Sequence, residues 1–238
     1  MNKNKYAGTL TLEVLEWAHK YNKWIADEIS PHVSFPLLEL GAGIGNISYH
    51  FTKNIPKGST FYISEIDTHL ISILRKKYNK KNIKVIKLDI TKVSNKLYLN
   101  KFKAVFAINV LEHIENDLSA LKNSHKLLQK NGLLILLVPA KMYAYSNLDK
   151  ELGHYRRYEK DELIKKISDA KFTIESIKYF NIVGLLSWMV RNKFEQEHRM
   201  LRPYQIWIFE KIVPFLKALE SFIPIPVGIS LIVVARKK

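Results

Sequence analysis

Residues Leu37-Leu38-Glu39-Leu40-Gly41-Ala42-Gly43-Ile44-Gly45-Asn46 run an apolar stretch into one acidic residue and then into three glycines at alternate positions. Few folds accommodate such a stretch. Phe35 to Leu40 reads as a short buried strand, and a helix is expected to start near Ile44. Glycines between the two let the backbone bend sharply and approach a ligand with no Cβ in the way. A dinucleotide-binding turn spaces its glycines G-x-G-x-x-G, which would put glycine at position 46. That position is Asn46, and the third glycine comes one residue early, at Gly45. The spacing is E-x-G-x-G-x-G. An ordinary tight strand-to-helix turn can have the same composition, so the residues after Asn46 must decide.

Those residues repeat the strand-then-helix alternation. Asn46 to Lys53 reads as a short helix. Thr60 to Ser64 is a second strand ending at Glu65-Ile66-Asp67, and Asp67 suits the cap of a helix over Thr68 to Tyr78. Ile83 to Leu88 is a third strand and ends at Asp89-Ile90. Lys103 to Ile108 is a fourth, followed by Asn109-Val110-Leu111-Glu112-His113-Ile114. A helix over Asn116 to Gln129 is expected to stop at Asn131-Gly132, and Leu133 to Val138 is a fully apolar fifth strand ending at Pro139. Short apolar runs alternating with helices mean a parallel sheet wound with helices on both faces. In such sheets ligands sit at the carboxyl ends of the strands. Glu39, Glu65, Asp89, Asn109 and Pro139 all fall there. Glu65 lies 20 residues past Gly45, where a carboxylate can accept from both ribose hydroxyls of a nucleoside cofactor; Asp67 is its rival. Asp89 can accept from the exocyclic amine of an adenine, or simply close its strand as a turn acid.

Before the glycine stretch, Leu10 to Ile29 carries Leu12, Val14, Leu15, Ala18, Tyr21, Trp24, Ile25 and Ile29 at helical spacing. Tyr21 and Trp24 suit core packing there, with an aromatic wall over a cofactor as the alternative. After the fifth strand, Tyr143 to Tyr158 is polar, aromatic and aperiodic, so it reads as a loop beside the presumed site. Glu159 to Ala170 is helical, Phe172 to Phe180 is a sixth strand and Gly228 to Ala235 is the last. The segment 181–227 between them is too long for a plain hairpin loop. It mixes Trp188, Trp207, Ile208, Phe209 and Phe215 with Lys193, Arg199, Arg202 and Lys211, and reads as one or two amphipathic helices forming a cap.

Composition bounds the rest. At 238 residues the chain is expected to be a single domain, 1–238, with 1–30 a helical lead-in and 181–227 an inserted cap. It has no cysteine, which removes disulfides and thiolate chemistry and fits a reducing, cytoplasmic setting. Its start has no apolar run of the signal-peptide kind, and its most apolar stretch, Ser221 to Ala235, is broken by Pro224 and Pro226. The formal charge of +16 invites nucleic acid, an anionic membrane surface or an anionic substrate. Only 7 of the 38 basic residues are arginine, however, and the lysines are scattered from end to end, as on an ordinary solvated surface.

With the loop Glu39 to Gly45, Glu65, Asp89, the run Asn109 to Ile114 and Gly132 before an apolar strand all in order, the chain resembles class I S-adenosylmethionine-dependent methyltransferases. The stretch Gly153-His154-Tyr155-Arg156-Arg157-Tyr158, with Lys20-Tyr21-Asn22-Lys23-Trp24 near the start, is similar to bacterial members linked to cell-surface glycan or glycolipid assembly. The resemblance implies a Rossmann-like α/β fold: a doubly wound, seven-stranded, mostly parallel sheet with an antiparallel last strand and a helical cap. It implies S-adenosylmethionine as cofactor, S-adenosylhomocysteine as product and no metal. Gly41, Ala42, Gly43 and Gly45 would pass under its methionine and ribose portion. Glu39 would hold the ammonium with the Asn109 carbonyl and Val110, Glu65 and Ile66 would take the ribose, Asp89 and Ile90 the adenine, and Tyr21 would stand near. His113 would be the base where the acceptor needs one, with His154 as rival, and Tyr155, Arg156 and Arg157 would bind substrate. The arginines could instead be ion-paired to Glu151, Glu159 or Asp161. The acceptor would be a small molecule, a sugar or a lipid-linked compound, with peripheral membrane contact through the cap. Ribosomal RNA adenine dimethylases carry Asn-x-Pro-Tyr where this chain has Asn109-Val110-Leu111-Glu112, which argues against RNA. An RNA-modifying enzyme and a catalytically silent binding protein are the other readings.

Overall fold

The computed structural model describes residues 17–93, 95–194, 203–223 and 225–238. In chain order, its helices and strands are α1 (His19–Ile29), β1 (Leu37–Leu40), α2 (Ser48–Phe51), β2 (Phe61–Glu65), α3 (Thr68–Lys77), β3 (Ile83–Lys87), β4 (Phe102–Ile108), α4 (Asp117–Leu127), β5 (Leu128–Pro139), α5 (Asn147–Glu151), α6 (Lys160–Asp169), β6 (Phe172–Phe180), α7 (Ile182–Phe194), α8 (Pro203–Phe222) and β7 (Ser230–Lys237). The strands form one seven-stranded sheet in the order β3-β2-β1-β4-β5-β7-β6. β1 to β5 pair in parallel, and β7 runs antiparallel to both β5 and β6. The strand-helix alternation leads to a parallel sheet wound on both faces, and the seven strands with an antiparallel last one are those that the resemblance implies.

Alternation along the strands divides the core in two. Leu38, Val105, Leu134, Leu136 and Val233 face one side, where Ala120 and Leu121 of α4 and Leu163 and Ile167 of α6 cover them. Leu37, Phe61, Phe106, Ile135 and Val234 face the other, covered by Trp24 and Ile25 of α1, Phe51 of α2, Leu74 of α3, and Val213 and Leu216 of α8. The strands can be apolar throughout because helices cover both faces. The order reverses between β1 and β4, and there a crevice opens at the carboxyl ends of the strands.

Four boundaries differ from the sequence reading. The helix after the glycines is a single turn, Ser48–Phe51, starting later than Ile44 because residues 43–47 stay in turns. α4 ends at Leu127 rather than running to Gln129. Leu128 already pairs with Phe102, a register shift follows before Ala104, and Asn131 at φ 63 absorbs it. The stretch Tyr143 to Tyr158 is not only loop: it holds α5, whose first turn is closed by a capping box between Ser146 and Asp149. Within 181–227 the described residues form two helices, in line with the one or two expected, but the second is not only a cap, since Val213 and Leu216 are buried against the sheet. Residues 10–16 of the expected first helix, and Arg199 and Arg202, lie outside the described residues. Among the described residues no helix is long and apolar enough to cross a membrane.

Candidate active site

β1 breaks off at Leu40 because Gly41, Gly43 and Gly45 all take left-handed backbone, at φ 62, 58 and 82. Ala42 N donates to Ser64 O at 2.9 Å, folding the loop onto β2. Two of the glycines owe their identity to packing. A Cβ on Gly41 would stand 2.7 Å from Val110 Cγ2, and one on Gly45 would stand 2.6 Å from Tyr78 Cε2. The Tyr78 hydroxyl donates to Gly45 O at 2.6 Å. The expectation that all three glycines clear space for a ligand therefore narrows: the side-chain directions of Gly41 and Gly45 are filled by protein, and Val110 backs the loop.

Two carboxylates organise this loop from below. Glu39 is only 3% exposed and accepts a very short hydrogen bond from the Ser48 hydroxyl. Burial pushes its pKa up to about 8; the Ser48 bond opposes the shift and nearby Glu65 adds to it. Glu65 reaches back under the loop. Its Oε2 accepts from Gly43 N at 2.8 Å and its Oε1 from Ile66 N at 2.7 Å, which leaves lone-pair capacity on a carboxylate that offers about four acceptor positions. Its rival Asp67 is spent as the cap of α3, accepting from His69 N at 2.7 Å and Leu70 N at 3.2 Å. Asp89 Oδ1 closes a turn through Thr91 N at 2.8 Å and Thr91 Oγ1 at 2.6 Å. Ile90 is buried, its carbonyl accepting from Asn123 Nδ2 at 2.8 Å, while the side chain of Ile66 is open to solvent. Asn109 is exposed at the end of β4 with φ 53. Tyr21 follows the core-packing reading rather than that of an aromatic wall over a cofactor. Its ring contacts are with Trp24, Phe180 and Phe209, at 6.3, 6.0 and 5.4 Å between centroids, so it packs α1 against β6 and α8.

Across the crevice, the turn after β4 meets the segment before α6, held by Tyr155 N donating to Glu112 O at 2.8 Å. This brings the two candidate bases together: the rings of His113 and His154 stand 4.6 Å apart, edge to face. His113 titrates low, at about 4, because partial enclosure and neighbouring His154 disfavour its charged form. His154 Nδ1 bonds Asp149 Oδ1 at 2.9 Å. Asp149 is fully buried and also takes Arg157 Nε at 3.0 Å and Ser146 N at 2.9 Å; these bonds hold its pKa down against its burial. Arg157 is itself 3% exposed and lies 4.7 Å over the Trp188 ring. Arg156 pairs with Asp117 at 2.7 Å and donates to Glu115 O at 2.8 Å. Neither guanidinium is available to clamp a substrate, and the ion-pair partners are Asp149 and Asp117 rather than Glu151, Glu159 or Asp161. Tyr155 is 53% exposed and free to touch an acceptor.

Sequence reasoning missed Glu112, Ser48, Asp149 and Trp188. Asp149 had a legible signal, the Ser146-x-x-Asp149 spacing of a capping box. Glu112 had none, because an acid at a strand end is ordinarily solvated.

The loop, residues 39–47, carries no basic side chain, and the helix after it is one turn long. It therefore lacks the long helix N-terminus that cradles a pyrophosphate, while buried Glu39 and Glu65 and the nearby Asp89 suit a cationic, ribose-bearing ligand. Residues 38–134 match the methyltransferase-domain family. Among curated proteins, 5-methylorsellinic acid synthase of Aspergillus terreus is 29% identical over 107 residues, 42% of this chain and 4% of that far longer protein. Among solved structures, a S-adenosylmethionine-dependent methyltransferase from Thermotoga maritima superposes with a TM-score of 0.60 at 14% identity, covering 96% of this chain and 100% of that one. The methyltransferase CalH, in complex with S-adenosylhomocysteine, gives 0.57 at 17% identity over 94% of this chain and 57% of its own. At such identities the structural likeness carries the fold.

Proposed function

Since residues 38–134 match the methyltransferase-domain family and the chain has the fold of S-adenosylmethionine-dependent methyltransferases, we propose that this chain transfers a methyl group from S-adenosylmethionine to an oxygen or nitrogen of a small-molecule, sugar or lipid-linked acceptor. The observation that carries the reading is the pair of buried carboxylates at the ends of β1 and β2, one of them tied to the glycine loop through Gly43 N. The cofactor, when bound, supplies a methyl already activated on a sulfonium. The protein's task is then alignment rather than activation of the donor. Glu39, with the Asn109 carbonyl, holds the ammonium, Glu65 takes the ribose hydroxyls, and Asp89 with Ile90 frames the adenine. A hydroxyl acceptor also needs its proton removed. One imidazole of the His113–His154 pair accepts it, His113 being neutral and free to do so at pH 7.

Calorimetry with S-adenosylmethionine, S-adenosylhomocysteine and a nicotinamide dinucleotide tests the cofactor. Heat with the first two and none with the third is expected; the reverse pattern would sink the reading. Isotope-labelled methyl transfer into lipid, glycan and nucleic-acid fractions of a cell extract then assigns the acceptor, and label confined to nucleic acid would replace it.

The exposed face of α8 extends the proposal. Trp207, Ile208, Phe215 and Phe222 are all more than half exposed, and Lys211 lies 5.2 Å over the Trp207 ring. Aromatic and basic residues together suit a boundary between apolar chains and anionic headgroups, which supports an amphiphilic acceptor met at a membrane surface. Cosedimentation with anionic vesicles, weakened by salt, is the expected result. Equal and negligible binding to anionic and neutral vesicles would leave a freely diffusing acceptor.

A further inference from the structure

Glu112 is completely buried, and among the described residues neither of its side-chain oxygens has a hydrogen-bond partner. Buried polar groups are nearly always paired, and two empty acceptors on one carboxylate call for a donor or a cation. The nearby guanidinium of Arg157 does not fill that place, since it is bonded to Asp149 and to Ala140 O. What does face Glu112 is the histidine pair: one ligand atom from each of Glu112, His113 and His154 lies within 4.8 Å of the other two.

One imidazole is also tied back on its far side. His154 spends Nδ1 on buried Asp149 at 2.9 Å, so Nε2 is the nitrogen it can offer. His113 stands edge to face against it, with 4.6 Å between ring centroids. Metal-binding histidines are held in this way, the outer N–H given to a carboxylate or a carbonyl so that tautomer and ring plane are fixed. We infer that Glu112, His113 and His154 form a three-ligand site for a divalent transition-metal ion of the zinc type, backed by Asp149. Two imidazoles and one carboxylate suit zinc and its borderline neighbours, whereas magnesium and calcium want an all-oxygen shell. Zinc bonds of about 2.0–2.1 Å in a tetrahedron put ligand atoms about 3.3 Å apart. The cluster must therefore draw in, and His113, the exposed residue of a single turn whose Leu111 and Glu112 are buried, is the side chain with room to move.

Three protein ligands leave the fourth position of such an ion open, the arrangement of catalytic rather than structural sites. What the ion does there rests on the methyl-transfer reading; whether it binds does not. In that setting it would bind the acceptor's oxygen and lower its pKa. The hydroxyl proton would leave to solvent, the oxygen would form the O–CH3 bond, and the electron pair of the broken S–CH3 bond would return to sulfur. The ion would thereby do for the hydroxyl what an imidazole alone does in the simpler scheme.

The test uses the full chain, stripped with a chelator and titrated with Zn2+ by calorimetry and with Co2+ by visible absorption. One ion per chain is expected, with a Co2+ spectrum of low coordination number and at least tenfold preference for Zn2+ over Mg2+. Glu112→Gln and His154→Ala should each weaken binding at least tenfold, and Asp149→Asn by about 10–100-fold. No stoichiometric binding of either ion would overturn the inference. So would binding that all three variants leave unchanged, since it would place the ion elsewhere. S-adenosylhomocysteine is titrated into the same samples, and circular dichroism confirms that each variant is folded. Cofactor binding without metal binding removes the ion and leaves the methyltransferase. Metal binding without cofactor binding keeps the site and removes the methyltransferase.

Discussion

Single positions in this molecule carry effects of different size, and two glycines show why. Gly58 and Gly45 share left-handed backbone, at φ 79 and 82, but a Cβ at Gly58 meets nothing within 4 Å while one at Gly45 runs into Tyr78 and Leu74. Gly58→Ala should cost about 1 kcal/mol of stability from backbone strain alone. Gly45→Ala should cost about 1–3 kcal/mol more from overpacking, both read from chemical denaturation. Glu65→Ala removes the anchor of Gly43 N and the proposed acceptor for ribose, and should weaken S-adenosylmethionine binding by about 1.5–3 kcal/mol, measured by calorimetry; Asp67 is engaged as the α3 cap. Glu39 makes stability depend on pH. Its folded pKa of about 8 lies above the value of an unfolded glutamate. The folded chain therefore holds a proton that the unfolded chain has lost across that window, and this contribution falls away as pH rises from about 4.5 toward 8. Glu39→Gln should flatten the fall in thermal scans. A cofactor ammonium beside Glu39 favours the ionised form, so binding at pH 7 should release a proton, visible as a dependence of binding heat on buffer ionisation enthalpy. The sequence shows which of these acids end strands. It does not show which of them is dry: Glu39, Glu65 and Asp89 all read as strand-end acids, and the fold buries the first two and leaves Asp89 partly exposed.

At the level of elements, what was legible followed period and punctuation. The strands β1 to β4 and β6 and helices α3 and α6 stand within a few residues of where apolar periodicity puts them, because helices cover both faces of the sheet and the central strands are largely apolar. The failure at the α4–β5 junction has a physical cause. Leu128 to Lys130 continue a helical pattern, but pairing with Phe102 wins and the strand starts at once. Gly132 then takes a place where a Cβ would lie 2.9 Å from Gln129 O and 3.2 Å from Lys103 O. Gly132→Val should destabilise the protein by about 1–3 kcal/mol with little change in cofactor affinity, a split that denaturation and calorimetry together would show. α8 was legible as an amphipathic helix, yet which face it buries was not, since it is apolar nearly all round. Val213 and Leu216 take the sheet, leaving Trp207, Phe215 and Phe222 outside.

For the whole molecule, the doubly wound order of strands was readable from strand-helix alternation, and the place of the site followed from it. The pairing of the segment before α6 with the turn after β4 was not, because it joins residues some 40 positions apart through contacts such as Tyr155 N to Glu112 O. Ligand linkage offers a test at this scale. S-adenosylhomocysteine at about 100 times its Kd should stabilise the fold by about 2.7 kcal/mol, which for a chain of this length raises Tm by about 5–10 °C; differential scanning fluorimetry with a nicotinamide dinucleotide as control checks it. The base of the α7–α8 insertion has a further consequence. Phe180 pairs with Ser230, Ile229 N donates to Asn181 O at 3.2 Å, and Gly228 is small because a Cβ would lie 2.5 Å from Phe180 O. The chain thus leaves the sheet and re-enters it through one closed doorway. Whatever hangs from that doorway can vary in its outer parts without shifting strand register, so long as the second helix still sets apolar side chains such as Val213 and Leu216 against the sheet. New acceptor preferences can therefore arise by changing the outward-facing part of one contiguous cassette, and a chimera whose cassette keeps those buried contacts should still fold and still bind S-adenosylhomocysteine.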